Sequence, residues 1–148
     1  MAGLKVAVVT AAVAITNADK TVVMVTAGAA AGARLNNFSI AFNGTSPTEG
    51  KVTVEIVRKF TAGTGTAGSS VTPRKISGHA GAVQLTASQN YSAEPTTGAS
   101  YVAWSTLVHP QGNYQVPMDI LVDPGETIAV RCNSPTAKSV VTALQFDE

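Results

Sequence analysis

Alternation with a period of two dominates this chain. Apolar side chains recur at every second position, the spacing that lines up one face of a β-strand. Val22, Met24 and Thr26 share a face in Lys20–Ala27, as do Phe38, Ile40 and Phe42 in Arg34–Asn43. Val52, Val54 and Ile56 do so in Lys51–Phe60, with Lys51, Thr53 and Glu55 opposite. At Val57-Arg58 the phase breaks, which predicts a β-bulge or a strand leaving the core. Further on, Tyr114, Val116, Met118, Ile120 and Val122 alternate with Gln115, Pro117, Asp119 and Leu121. Ile128, Val130 and Cys132 follow, then Val140, Thr142, Leu144 and Phe146. Pro117 lacks an amide hydrogen for the ladder, so its strand lies at an edge or is bulged there. In Tyr101–His109 both faces carry apolar residues: Val102, Trp104 and Val108 on one, Tyr101, Ala103 and Leu107 on the other. That strand is expected to be covered on both sides.

Turn chemistry separates the strands. Asn43-Gly44, His109-Pro-Gln-Gly112, Asp123-Pro-Gly-Glu126 and Asn133-Ser-Pro135 are turn signals, with Pro presetting φ and Gly supplying φ > 0. Ala27–Ala33 is Ala-rich, but Gly28 and Gly32 interrupt it, so a loop is expected. Thr61–Ser70 and Ser88–Ser100 read as irregular loops, with one further strand between them around Val83 and Leu85. Eight or nine short strands without a helix predict an all-β fold. The expected form is a two-sheet antiparallel sandwich of the jelly-roll type. An immunoglobulin-like sandwich is the alternative, although its Cys…Trp…Cys pattern is missing.

Near the N-terminus, the Val/Ala run Val6–Ile15 is shorter than the ~20 residues of a membrane span. It also lacks the Leu-rich block of a secretion signal. Residues 1–18 therefore read as an N-terminal arm or first strand, and residues 19–148 as a single β-sandwich domain. As an arm, Leu4, Val6 and Val8 would add a strand to a neighbour.

Composition sharpens the picture at one point. Charged residues make up 13% of the chain, about half the usual ~25%. The surface must then consist largely of Thr, Ser, Ala, Gly and Asn, which desolvate at low cost against another protein. A net charge of +1 leaves no basic footprint for nucleic acid. The single cysteine excludes an intrachain disulfide.

Candidate chemistry is sparse. His79, His109 and Cys132 have no metal-ligand spacing. Cys132 shares a strand face with Ile128 and Val130, which suits a buried small hydrophobe. No nucleophile elbow is present. Of the strand carboxylates, Glu55 and Asp119 are the pair that could converge for glycoside chemistry. Gly63 to Gly68 matches Gly-x-Gly-x-x-Gly but has no βαβ unit around it. A small basic patch could form where Arg58-Lys59 and Arg74-Lys75 flank the Gly-rich loop. No catalytic, cofactor-binding or metal-binding residue is assigned, and no enzymatic activity is expected. Trp104 is either core or an interface anchor, and Tyr114 and Tyr91 are candidates to face a partner or a sugar. The candidate contact residues are Leu4, Val6, Val8, Arg58, Lys59, Trp104 and Tyr114.

Four segments of the C-terminal half carry a resemblance. They are Tyr101-Val-Ala-Trp-Ser-Thr-Leu-Val-His109, Tyr114-Gln-Val-Pro-Met-Asp-Ile-Leu-Val122, Asp123-Pro-Gly-Glu-Thr-Ile-Ala-Val-Arg131 and Ser139-Val-Val-Thr-Ala-Leu-Gln-Phe146. Together they resemble the end of the jelly-roll capsid decoration (cement) proteins of tailed bacteriophages. The resemblance covers roughly the last third of the chain. It implies a homotrimer on threefold or pseudo-threefold positions of the outer capsid surface of a virion. The partners would be further copies of itself and the major capsid protein, with no nucleic acid, membrane or cofactor. The alternative is a head-fibre or tail-tip jelly-roll module that binds a host receptor or glycan. A cupin-like enzyme would need clustered His and Glu ligands, which the chain lacks.

Overall fold

The computed structural model describes residues 3–46, 48–58, 69–78, 80–91 and 101–148. Among them are strands β1 (Lys5–Val9), β2 (Val13–Ile15), β3 (Lys20–Thr26), β4 (Ala33–Asn43), β5 (Val52–Arg58) and β6 (Ser69–Val71). There follow β7 (Arg74–Ser77), β8 (Thr86–Gln89), β9 (Tyr101–Val108), β10 (Gln111–Val122), β11 (Thr127–Asn133) and β12 (Lys138–Asp147). Sheet I has the order β10-β4-β12-β1-β7, with β2 continuing the line of β1 along β12. Sheet II has the order β6-β8-β3-β11-β5-β9. All pairings are antiparallel.

The pairings are nested. The first strand pairs with the last (β1 with β12), then β3 with β11, β4 with β10 and β5 with β9. The contacts β12–β4 and β11–β5 close these pairs into two sheets. A long ribbon folded back on itself and rolled up gives this wiring, which is that of a jelly roll. An immunoglobulin-like sandwich is built largely of consecutive hairpins. Here, of the pairs just named, only β5–β9 comes close to one, and the segment bearing β6, β7 and β8 interrupts it. That segment extends both sheets, adding β7 to sheet I and β6 and β8 to sheet II.

The alternation explains the core. Phe38, Ile40, Leu144 and Phe146 of sheet I and Ile56, Ile128 and Val130 of sheet II are all at most 2% exposed. Phe38 meets the Trp104 ring edge-on at 5.9 Å, joining the two sheets. The N-terminal segment belongs to this core: Leu4, Val6, Val8, Val13 and Ile15 are at most 2% exposed. Val6 lies opposite Phe146 and Val8 opposite Leu144. Between β1 and β2 the ladder is kept by Thr10, whose amide donates to the Thr142 carbonyl at 2.9 Å. In return the Thr142 amide donates to Thr10 Oγ1 at 3.0 Å. At the chain ends, Leu4 and Glu148 exchange backbone hydrogen bonds of 3.0 and 2.8 Å.

Several local expectations hold, and others shift. Strand β10 is an edge strand, and its register shifts directly after Pro117. Gly125 has φ +74° in the turn after Asp123. The phase break at Val57, however, is not a bulge in β5. Ile56 pairs with Trp104 and Val57 with Val102, so the extra residue is Ala103 in the partner strand. That bulge takes Val102 off the Trp104 face and leaves it 48% exposed. Val57 itself points outward and is buried with Ala129 against Met24 on the outer side of sheet II. In β3, Val23 and Val25 belong to the main core, and Met24 packs into the outer cluster. Valines occupy both phases there, and the register shift at Val22 decides between them. Val83 and Leu85 are not in a strand. The amides of Gln84 and Leu85 donate instead to the Glu148 side-chain carboxylate, at 3.1 and 2.8 Å. Ser69, Ser70, Ser88 and Gln89, expected in loops, form short strands. Residues 61–68 and 92–100 lie outside the described residues.

Candidate contact surfaces

Among the described residues, four pairs of opposite charge brace the fold. Arg58 donates from Nε and Nη2 to Glu126, both at 2.8 Å, and the Asp123 amide donates to the same carboxylate at 2.8 Å. Glu126 therefore braces the Asp123-Pro-Gly-Glu126 turn against β5. The bond to Glu126 raises the Arg58 pKa above its ordinary value, against a smaller opposing effect of burial. Arg131 is paired with Glu55 at 2.7 Å, and Lys138 with Glu49 at 2.6 Å. Arg34 and Asp119 pair at 3.1 Å in the open, on sheet I. Glu55 is on sheet II, so the two carboxylates weighed for glycoside chemistry do not converge.

Among the described residues no group of three or more His, Cys, Asp or Glu could hold a metal ion. Cys132 is 1% exposed, and burial, with a smaller push from Glu55, lifts its thiol to about 12. Such a thiol carries negligible thiolate at neutral pH. Tyr91 is buried rather than presented to a ligand, and burial raises its pKa, partly offset by a hydrogen bond with Ser88. One shallow depression of about 220 Å³ lies between Leu4, Ala31 and Glu148, and one of about 230 Å³ between Val9, Ser70 and Arg74. Both fall below the ~300 Å³ at which small-molecule pockets begin.

What the molecule offers instead is surface. On the outer side of sheet I, cross-strand rows run Val9–Ala143–Ser39–Gln115 and Ala7–Gln145–Asn37–Pro117. Val141, Ala41 and Asn113 form a third row. None of these residues is charged. Lys5, Asp147 and Arg34 form the next row, where Asp119 also pairs, and Arg74 of β7 lies opposite Ala7, so charges border the uncharged rows at one end and along the β7 side. With strands ~4.8 Å apart and a rise of ~3.4 Å per residue, the uncharged area measures roughly 14 Å by 14 Å between its outermost residues.

A second surface lies along β9. Among the described residues β9 pairs only with β5, so its other edge is open. Tyr101 is 67% exposed and Leu107 60%. Against the expectation of a strand covered on both sides, Val102 and Leu107 on the outer side of β9 are exposed, as is Tyr101 beyond the bulge.

The candidate contact residues fall into three groups. Leu4, Val6 and Val8 face the core of their own chain, and only the opposite face of β1 reaches solvent. Trp104 and Tyr114 are half-buried; Tyr114 meets Phe42 edge-on at 6.3 Å, and its hydroxyl donates to the His109 carbonyl at 3.0 Å. Arg58 is engaged by Glu126, and Lys59 lies outside the described residues, as do Phe60 and His79. Arg58 and Arg74 lie in different sheets, so the basic patch expected around the Gly-rich loop is not drawn together by these two. The outer face of sheet I was missed in the sequence, although the opposite phase of the same alternation carries it. No protein-family model matches the chain, and no curated protein is similar to it.

Proposed function

We propose that this chain is a non-enzymatic structural protein that decorates and stabilises the outer surface of a phage capsid, as a homotrimer at threefold or pseudo-threefold positions. The observation that carries this reading is the uncharged area on the outer face of sheet I of a jelly roll. The resemblance of the last four segments to cement proteins supplies the partner. A flat face of Ala, Ser, Asn, Gln and Val buries without stripping water from ions. At roughly 14 Å by 14 Å it is far smaller than the ~800 Å² per partner of a standard interface. One subunit would hold weakly, whereas three gripping together gain by avidity. A protein that binds only the expanded lattice stabilises that lattice by linkage.

The test has two parts. Light scattering of the purified chain should give three times the 15.1 kDa chain mass. Co-sedimentation with DNA-free heads of the encoding phage should show saturable binding to expanded heads only. Binding should change little with salt, because uncharged groups form the contact. Equal binding to unexpanded heads, or none to either, refutes the reading.

A further inference from the structure

We propose that β9 pairs antiparallel with β9 of a second copy of this chain, across a two-fold axis at Thr106. The contact would extend sheet II from one molecule into the next. It goes beyond the decoration reading and does not depend on it.

An open strand edge is a template for pairing, and proteins usually blunt such edges with charge, proline or brevity. Among the described residues the other edges are blunted, that of β2 by its length of three residues. Strand β10 carries Pro117 and the charged Asp119. Strand β7 has four residues and includes Arg74 and Lys75, and β6 has only three residues. Strand β9 has eight residues, Tyr-Val-Ala-Trp-Ser-Thr-Leu-Val, with no charge and no proline. Of the exposed large hydrophobic residues, Tyr101, Val102 and Leu107 all belong to it.

The occupant follows from the strand's own chemistry. Beyond the bulge at Ala103, the stretch from Trp104 to Val108 pairs regularly with β5 and is straight enough to accept a partner. A copy centred on Thr106 brings Trp104 opposite Val108 of the second molecule, and Ser105 opposite Leu107. Trp104 and Val108 are both half-buried at the rim of the core, so their free flanks would cover each other. Aromatic against β-branched is a favourable cross-strand pair. An uncharged strand meets its own copy without repulsion. The paired stretch is only about 17 Å long, so the contact forms at high concentration or where copies are held side by side. An isologous contact cannot close a threefold ring. If the protein is a trimer, this edge joins one trimer to the next.

Sedimentation velocity over a wide concentration range tests the pairing. The wild type should self-associate in steps of two, as monomers or as trimers. Ser105→Lys with Leu107→Lys places like charges opposite each other twice and should weaken association roughly tenfold or more. Ser105→Lys with Leu107→Glu places opposite charges across the same axis and should restore it. Both residues are exposed, so the fold should survive, as circular dichroism would verify. A wild type with no two-fold step overturns the proposal, whether it is a monomer or a trimer. Equal weakening in both double variants, or collapse of a trimer itself, overturns it too. A monomer–dimer equilibrium that obeys the charge swap supports the pairing and refutes the trimer.

Discussion

Removing residues 1–16 should abolish the fold. The deleted segment contributes Leu4, Val6, Val8, Val13 and Ile15, each at most 2% exposed. Burying such side chains is worth about 1.5–3 kcal/mol each, so their loss removes roughly 7–15 kcal/mol. Residual compactness of the unfolded chain trims that by about 10–40%. What remains still rivals the ~5–15 kcal/mol that holds a domain of this size together. The deletion also strips one edge of β12 along most of its length. Urea denaturation followed by circular dichroism, with a proton–nitrogen correlation spectrum, reads the outcome. The shortened chain should show no cooperative transition and little amide dispersion. A cooperative unfolding curve with a loss under about 3 kcal/mol would refute the reasoning. It would mean that these five side chains do not complete their own core. Truncation is for the same reason a poor probe of assembly, since it removes the subunit along with any contact.

Two further outcomes follow from single side chains. Glu126→Gln leaves Arg58 without its ionic partner and should lower stability by about 2 kcal/mol in urea titration, whereas an unchanged midpoint would show that the turn holds without it. Cys132 should resist a chromogenic disulfide reagent until the chain unfolds. Its thiol ionises near 9 in the unfolded chain and at about 12 in the folded one. Between these values the unfolded chain has released a proton that the folded chain keeps, so stability falls as pH rises through that window. Cys132→Val should therefore lose less stability than the wild type between about pH 8 and pH 10.5, and equal losses would contradict the burial.

Much of the fold could be read from the sequence because jelly-roll strands bury one face and expose the other. Phe38, Ile40 and Phe42, like Val140 to Phe146, had no alternative phase. Pro117 marked its edge because a missing amide hydrogen is a local fact. The failures came where local pattern underdetermines the partner. Val22 to Val25 are apolar on both phases, so only the register against β11 could choose. The irregularity signalled by Val57 belonged to Ala103, a residue distant in sequence. Strands β6 to β8 are short and polar, and neighbouring strands hold them rather than any alternation of their own. The outer face of sheet I carries no motif at all. Its signal is a short uncharged stretch on each of four strands, and these stretches form one area only once pairing has laid the strands side by side.

The fold makes the surface more neutral than the composition suggests. The chain has ten Lys and Arg and nine Asp and Glu, and among the described residues four of each sign meet in ion pairs. In three of those pairs neither side chain is more than 22% exposed. They act as braces: Arg58–Glu126 ties β5 to the 123–126 turn, Arg131–Glu55 couples neighbouring strands, and Lys138–Glu49 fastens β12 to the loop before β5. The Glu148 side chain is held by the amides of Gln84 and Leu85. These charges fix loops and strand ends, and the net charge of +1 gives little long-range field to steer an approaching partner. A contact on such a surface gains little on-rate from long-range attraction. For the contacts proposed above, selectivity would come from the shape of the sheet face and from the hydrogen-bonding pattern of the β9 edge.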